Sequence, residues 1–127
     1  MKYGSVGNEY IAEENRTRQC YAMIETPGAL ASAAEIAKLP CVDGLFVGPS
    51  DLSLTRGRGV FVASGADIAD LMIVAKAARD AKKKWAAAAG NAEYRKQASL
   101  LGPDFLTVAD DLSALVAGFS FLRDLTT

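Results

Sequence analysis

The chain predicts an α/β fold: a (β/α)4 half of a TIM-type (β/α)8 barrel with parallel strands. Three observations lead there. Four short apolar runs have the length of buried strands. Each is followed by a stretch with helical spacing, and such alternation argues a parallel sheet. The length of 127 residues fits one domain, residues 1–127, and is about half of the roughly 250 residues of a closed eight-fold barrel.

The elements follow in order. Asn8 to Arg16 is expected as a short helix leading into the first strand, Cys20 to Glu25. Thr26-Pro27-Gly28 breaks that strand, and proline suits the first turn of a helix. Ala29 to Leu39 then places apolar residues at 29, 30, 33, 36 and 37, one helical face, and Pro40 stops it. Strand two is Val42 to Val47, closed by Gly48-Pro49, with Ser50 or Asp51 as a ready N-cap for the turn Leu52 to Leu54. Thr55 to Gly59 is a loop, and Ala63 to Asp67 resembles a helix start.

Ile68 to Ala81, apolar at 68, 71, 72, 75 and 78, is the strongest helix pattern. Lys82 to Lys84 is expected as its solvated last turn, where cations suit the helix dipole. Strand three is Trp85 to Ala89, a weak pattern because alanine forms strands poorly. Asn91 to Leu101 is helix, stopped by Gly102-Pro103. Strand four, Phe105 to Ala109, ends in Asp110-Asp111, with capping of the next helix as the ordinary role for both. Leu112 to Leu125 closes the chain as a helix, with a break expected near Gly118. Trp85, Phe119 and Phe121 are expected in the core.

Composition removes several function classes. A net charge of −1, with a pI near 5.4, gives no basic surface for nucleic acid. No apolar run approaches the roughly 18 residues of a membrane span. MKYGSVGNEY lacks the apolar centre of a signal peptide. Cys20 and Cys41 lack CxxC-like spacing and are expected as buried free thiols. A cytoplasmic location is the expectation.

Two carboxylates carry the chemistry. Glu25 ends the first strand, and Asp51 follows the Gly48-Pro49-Ser50 turn after the second. Adjacent strand ends in a parallel barrel share one mouth, and two hard oxygen ligands plus waters suit Mg²⁺ or Mn²⁺. The alternative is that both cap the following helices. Gly48 permits close backbone approach, and the N–H groups of Ser50 and Asp51 suit a small carboxylate. An ordinary strand-to-helix turn is the competing reading.

The segment MIETPGAL…EIAKLPCVDGLFVGPSDLS, within Ala22 to Ser53, resembles the HpcH/HpaI aldolase/citrate lyase family. The likeness continues more loosely to the C-terminus and includes Tyr3 to Asn15, so the chain looks like the C-terminal half of such a protein. The family consists of metal-dependent (class II) aldolases that cleave 2-keto-4-hydroxy acids to pyruvate and an aldehyde. The resemblance implies that Glu25 and Asp51 are the metal ligands, with Mg²⁺, Mn²⁺ or Co²⁺ as the cofactor. It implies that Gly48, Pro49, Ser50 and Asp51 bind the keto acid, the backbone of Ser50 and Asp51 holding its carboxylate.

Departures from the family pattern bear on the loops. The family's histidine and arginine come from the other half of the barrel. This chain has no histidine, and Arg16, Arg18, Arg56 and Arg58 do not match the arginine's motif, so no catalytic acid or base is assigned here. The loop TRGRGVFVASG differs from the usual segment, and Cys41, Ala87 and Ala109 stand where the family usually has glycine. Exposed sheet edges invite pairing, so self-association or a complementary half-barrel is expected. A non-catalytic half-barrel that binds metal or a partner chain, and a citrate-lyase-β-like acyl-CoA lyase, are the alternative functions.

Overall fold

The structure, a computed structural model, describes residues 7–125. Its elements run α1 (Asn8–Thr17), β1 (Tyr21–Ile24), α2 (Pro27–Ala31), α3 (Ala33–Ala37), β2 (Gly44–Val47), α4 (Pro49–Thr55), α5 (Gly65–Asp80), β3 (Lys84–Ala88), α6 (Ala92–Leu100), β4 (Phe105–Thr107) and α7 (Asp111–Asp124). The strands form one sheet in the order β1-β2-β3-β4, all parallel. The expected half-barrel arrangement is what the chain adopts.

Alternation along each strand divides the sheet into two faces. Ile24, Leu45, Val47, Trp85 and Ala87 are buried in one core with Leu30, Ala33 and Ala37 of α2 and α3, Leu52 of α4, Leu71, Val74 and Ala78 of α5, and Tyr94 and Ala98 of α6. The alanines of β3 form a strand despite their low propensity because this packing overrides it; Ala86 and Ala87 are fully buried. The opposite face carries Tyr21, Met23, Phe46 and Phe105. There the Tyr21 ring lies over Gly44, where any Cβ would overlap the ring. It meets Phe105 edge-on at 5.3 Å between centroids, and Phe46 stands 6.1 Å from Phe105. An aromatic contact therefore links the first and last strands across the sheet.

Several expectations change. Ala29 to Leu39 is two short helices rather than one, because Ser32 (ψ 11°) leaves helical geometry between them. The strongest helix takes in the helix start expected at Ala63 to Asp67, beginning at Gly65, where Ser64 and Asp67 form a reciprocal capping box. It ends at Asp80, and Lys82 turns the chain with φ 56°. The lysine run therefore lies beyond the last turn and closes it, Lys82 N–H donating to the Arg79 carbonyl and Lys83 N–H to the Ala78 carbonyl, while Lys83 Nζ donates to the Val42 carbonyl and Lys84 opens β3. Gly118 does not interrupt α7.

Cys20 and Cys41 are both exposed, since each lies outside the strand beside it. Trp85 is core, but Phe119 and Phe121 are 70% and 65% exposed. The reason is that α7 follows the edge strand β4 and buries no residue.

Candidate metal and keto-acid site

Glu25 lies directly beyond Ile24, the last paired residue of β1, and Gly48 directly beyond Val47, its partner on β2. The parallel register therefore sets Glu25 beside Gly48. A Cβ at Gly48 would come within 3.2 Å of Glu25 Cβ, tighter than ordinary contact, and would touch Glu25 Oε2 at 3.4 Å. The missing side chain of Gly48 leaves the space that the Glu25 carboxylate borders. Pro49 then opens α4, where it costs no hydrogen bond, and Asp51 is in its first turn. Glu25 is half-buried, Pro49 is buried, and Ser50 and Asp51 are exposed.

The capping alternative for the two carboxylates does not describe this geometry. Thr26, not Glu25, caps α2, its hydroxyl oxygen accepting the Ala29 N–H at 3.2 Å. Helix α4 has Gly48 at its N-cap and no side-chain cap. Among the described residues neither carboxylate has a hydrogen bond or an ion pair.

One hydroxyl joins the two segments. Thr55, in the last turn of α4, directs its Oγ1 at the Asp51 carbonyl (2.8 Å) and the Glu25 carbonyl (2.9 Å), with the Leu52 carbonyl at 3.3 Å. The Asp51 contact is local back-bonding within a helix. The Glu25 contact spans 30 residues.

Metal fit rests on donor chemistry. Two unengaged carboxylates at neighbouring strand ends are hard oxygen donors that suit a divalent cation retaining waters or substrate oxygens. Among the described residues no group of three acidic, cysteine or histidine side chains forms a fuller cage.

Two further features lie near the same end of the sheet. A cleft of about 460 Å³ is lined by residues including Ala88, Gly90, Thr107, Ala109 and Asp110. Asp110 caps α7 as expected, in a capping box with Ser113. The Ser113 side-chain hydrogen bond, with its backbone N–H, holds the Asp110 carboxyl below its usual pKa.

The second feature is a charged cluster that sequence reading missed. Arg58 Nη2 lies 2.6 Å from Asp70 Oδ2 and 2.9 Å from Asp67 Oδ1, and Arg56 Nε lies 3.3 Å from Asp70 Oδ2. The hydrogen bond to Asp70 raises the Arg58 pKa. Tyr94 is fully buried beside it. Burial first, then the charges of Asp67 and Asp70, push its pKa up. Helical spacing of Asp67 and Asp70 was the available signal, but the loop arginine that pairs them carries none.

No family model matches the chain. It is 34% identical over 119 residues to a hydroxypyruvate/pyruvate aldolase of Rhizorhabdus wittichii, covering 92% of this chain and 46% of that protein. It is 31% identical over 118 residues to a 5-keto-4-deoxy-D-glucarate aldolase of Salmonella arizonae, covering 91% and 45%. The solved structure of an HpcH/HpaI aldolase/citrate lyase family protein from Burkholderia cenocepacia superposes with TM-score 0.79 at 25% identity, covering 94% of this chain and 47% of that one. The chain thus spans about half the length of the curated relatives it matches.

Proposed function

The chain belongs to the HpcH/HpaI aldolase/citrate lyase family, and from that premise we propose that it supplies the metal and pyruvate-carboxylate side of an aldolase site. The reaction would be cleavage or formation of 2-keto-4-hydroxy acids, giving pyruvate and an aldehyde. The observation that carries the reading is the pair of unengaged carboxylates, Glu25 and Asp51, beyond adjacent parallel strands. The names of the relatives, hydroxypyruvate/pyruvate aldolase among them, agree with it.

Glu25 and Asp51 hold the divalent cation, Mg²⁺, Mn²⁺ or Co²⁺, and give it two anionic oxygens. Gly48 keeps the space beside Glu25 open, and Pro49 sets the direction of α4. The N–H groups of Ser50 and Asp51, in the first turn of α4, face the carboxylate of the keto acid. The bound cation supplies Lewis acidity to the keto oxygen. In cleavage the C3–C4 bond breaks, its electron pair passes to C3, and the 4-hydroxyl proton leaves to a base; C3 is then protonated.

That base has no histidine available in this chain. The acid/base and keto-polarising groups are therefore assigned to a complementary half-barrel, from the same or another chain, that closes the sheet edges. The chain is taken as one domain, the C-terminal half of such a barrel, working in the cytoplasm. No helix among the described residues is long and apolar enough to cross a membrane.

The test is metal binding and turnover together. Mn²⁺ binding by electron paramagnetic resonance should be lost in Glu25→Gln and in Asp51→Asn. Pyruvate release from a 2-keto-4-hydroxy acid should be absent for the chain alone and appear when the other half of a relative is added. Unchanged Mn²⁺ binding in both variants overturns the site. Binding without turnover in the assembled pair favours the non-catalytic half-barrel instead, and activity only on an acyl-CoA substrate favours the citrate-lyase-β-like alternative.

A further inference from the structure

We infer that Thr55 is a positioning residue for the metal pair, and that its hydroxyl sets the separation of the Glu25 and Asp51 segments. This rests on the reading of those two residues as metal ligands. The two segments follow different strands, and among the described residues no side-chain hydrogen bond or ion pair of Glu25 or Asp51 fixes their distance. Beyond Gly48 N–H to the Ile24 carbonyl at 3.2 Å, the strand ladder has ended. The Thr55 hydroxyl then reaches both backbones at once, at 2.9 Å to the Glu25 carbonyl and 2.8 Å to the Asp51 carbonyl.

A hydroxyl has one proton to donate, and it is shared between these acceptors. Both carbonyls must stay within its reach for the contact to persist. Moving α4 away from β1 breaks the Glu25 contact and leaves the Asp51 contact intact, so the Glu25 contact reports the spacing that matters to a metal. The end of α4 is held from the other side as well. Arg58 N–H donates to the Ser53 carbonyl at 3.0 Å, and the Arg58 guanidinium is fixed on Asp67 and Asp70 of α5. Thr55 thus sits between an anchored helix end and a strand end. Groups that orient metal ligands through hydrogen bonds are worth about 10–100-fold in affinity elsewhere.

The expected result is that Thr55→Val and Thr55→Ala weaken Mn²⁺ binding about 10-fold, while Thr55→Ser, which keeps the hydroxyl, binds as the parent does. Ser99→Ala is the control. Its hydroxyl makes the same local back-bond, to the Arg95 carbonyl at 2.8 Å on α6, but touches neither ligand segment, and it should leave Mn²⁺ binding unchanged. Thermal melts of all variants accompany the titrations. The inference is overturned if Thr55→Val and Thr55→Ala both bind Mn²⁺ like the parent while Glu25→Gln does not, or if Thr55→Ser is as impaired as Thr55→Ala. If Glu25→Gln and Asp51→Asn also bind like the parent, the metal reading has failed, and this inference fails with it.

Discussion

Helices α5 and α7 are built alike and buried differently. Both start with a reciprocal capping box, Ser64 with Asp67 and Asp110 with Ser113, and they run 16 and 14 residues. Both carry an arginine in the last turn. Yet α5 buries seven residues and α7 none, although α7 holds Leu112, Leu115, Val116, Phe119, Phe121 and Leu122, all exposed. The difference teaches that a helix can be written locally, through caps and propensity, while its burial is decided by what stands on either side. Helix α5 packs behind β2 and β3 with α3 and α6 as neighbours. Helix α7 follows the edge strand, and among the described residues no fifth strand stands beside β4.

The largest expected effect that tests this contrast is in the core. Leu71→Ala removes a fully buried side chain and should cost about 2–5 kcal/mol. Leu122→Ala, on α7 and 56% exposed, should cost less than about 0.5 kcal/mol. Urea unfolding of the two variants checks the pair; equal losses would mean that α7 is packed in solution.

A smaller effect is expected from Asp70→Asn. It weakens the charge-assisted contacts with Arg58 and Arg56 inside the buried cluster, and about 2–3 kcal/mol of stability should go with them. Addition of salt should change this loss little, because Asp70 is only 5% exposed and buried pairs are weakly screened.

The smallest effect should come from the cap of α7. Asp110→Ala should reduce helix content in circular dichroism without moving the core transition. Acid should act in the same direction on the parent. The folded-state pKa of Asp110 lies below its ordinary value. Its contribution is therefore present above the unfolded pKa and is lost as pH falls through the lowered one. Ellipticity should decline at the acid end of the profile in the parent and stay level there in the variant.

The same contrast explains what the sequence made legible. The order of strands and helices could be read because each strand is a short apolar run and each helix has its own period and cap. Glu25 stood out because it follows such a run directly, and Asp51 because it follows the next one after the Gly48-Pro49-Ser50 turn; the register of Ile24 with Val47 puts their segments side by side. The exposure of Phe119 and Phe121 could not be read, since an aromatic residue on a helix looks the same whether or not another layer covers it. Cys20 and Cys41 were misjudged for a related reason: they lie one and three places before their strands, beside the apolar runs but outside the burial of the sheet. Thr55 was invisible because its informative partner lies 30 residues away. The Arg58 cluster was hidden likewise, with a loop residue meeting acids 9 and 12 positions later.

The ring of Tyr21 over Gly44 has a consequence for how this sequence can drift. A Cβ at position 44 would overlap Cε1 and Cδ1 of that ring and stand 3.0 Å from the Lys84 carbonyl. Positions 21 and 44 thus occupy one shared volume. Enlarging the second requires shrinking or turning the first, and either change separates Tyr21 from Phe105. A lineage that replaced Gly44 first would loosen the link between its outer strands before any compensating change at 21 could help. Position 44 can therefore enlarge only after the ring at 21 has yielded, and even then its Cβ must clear the Lys84 carbonyl.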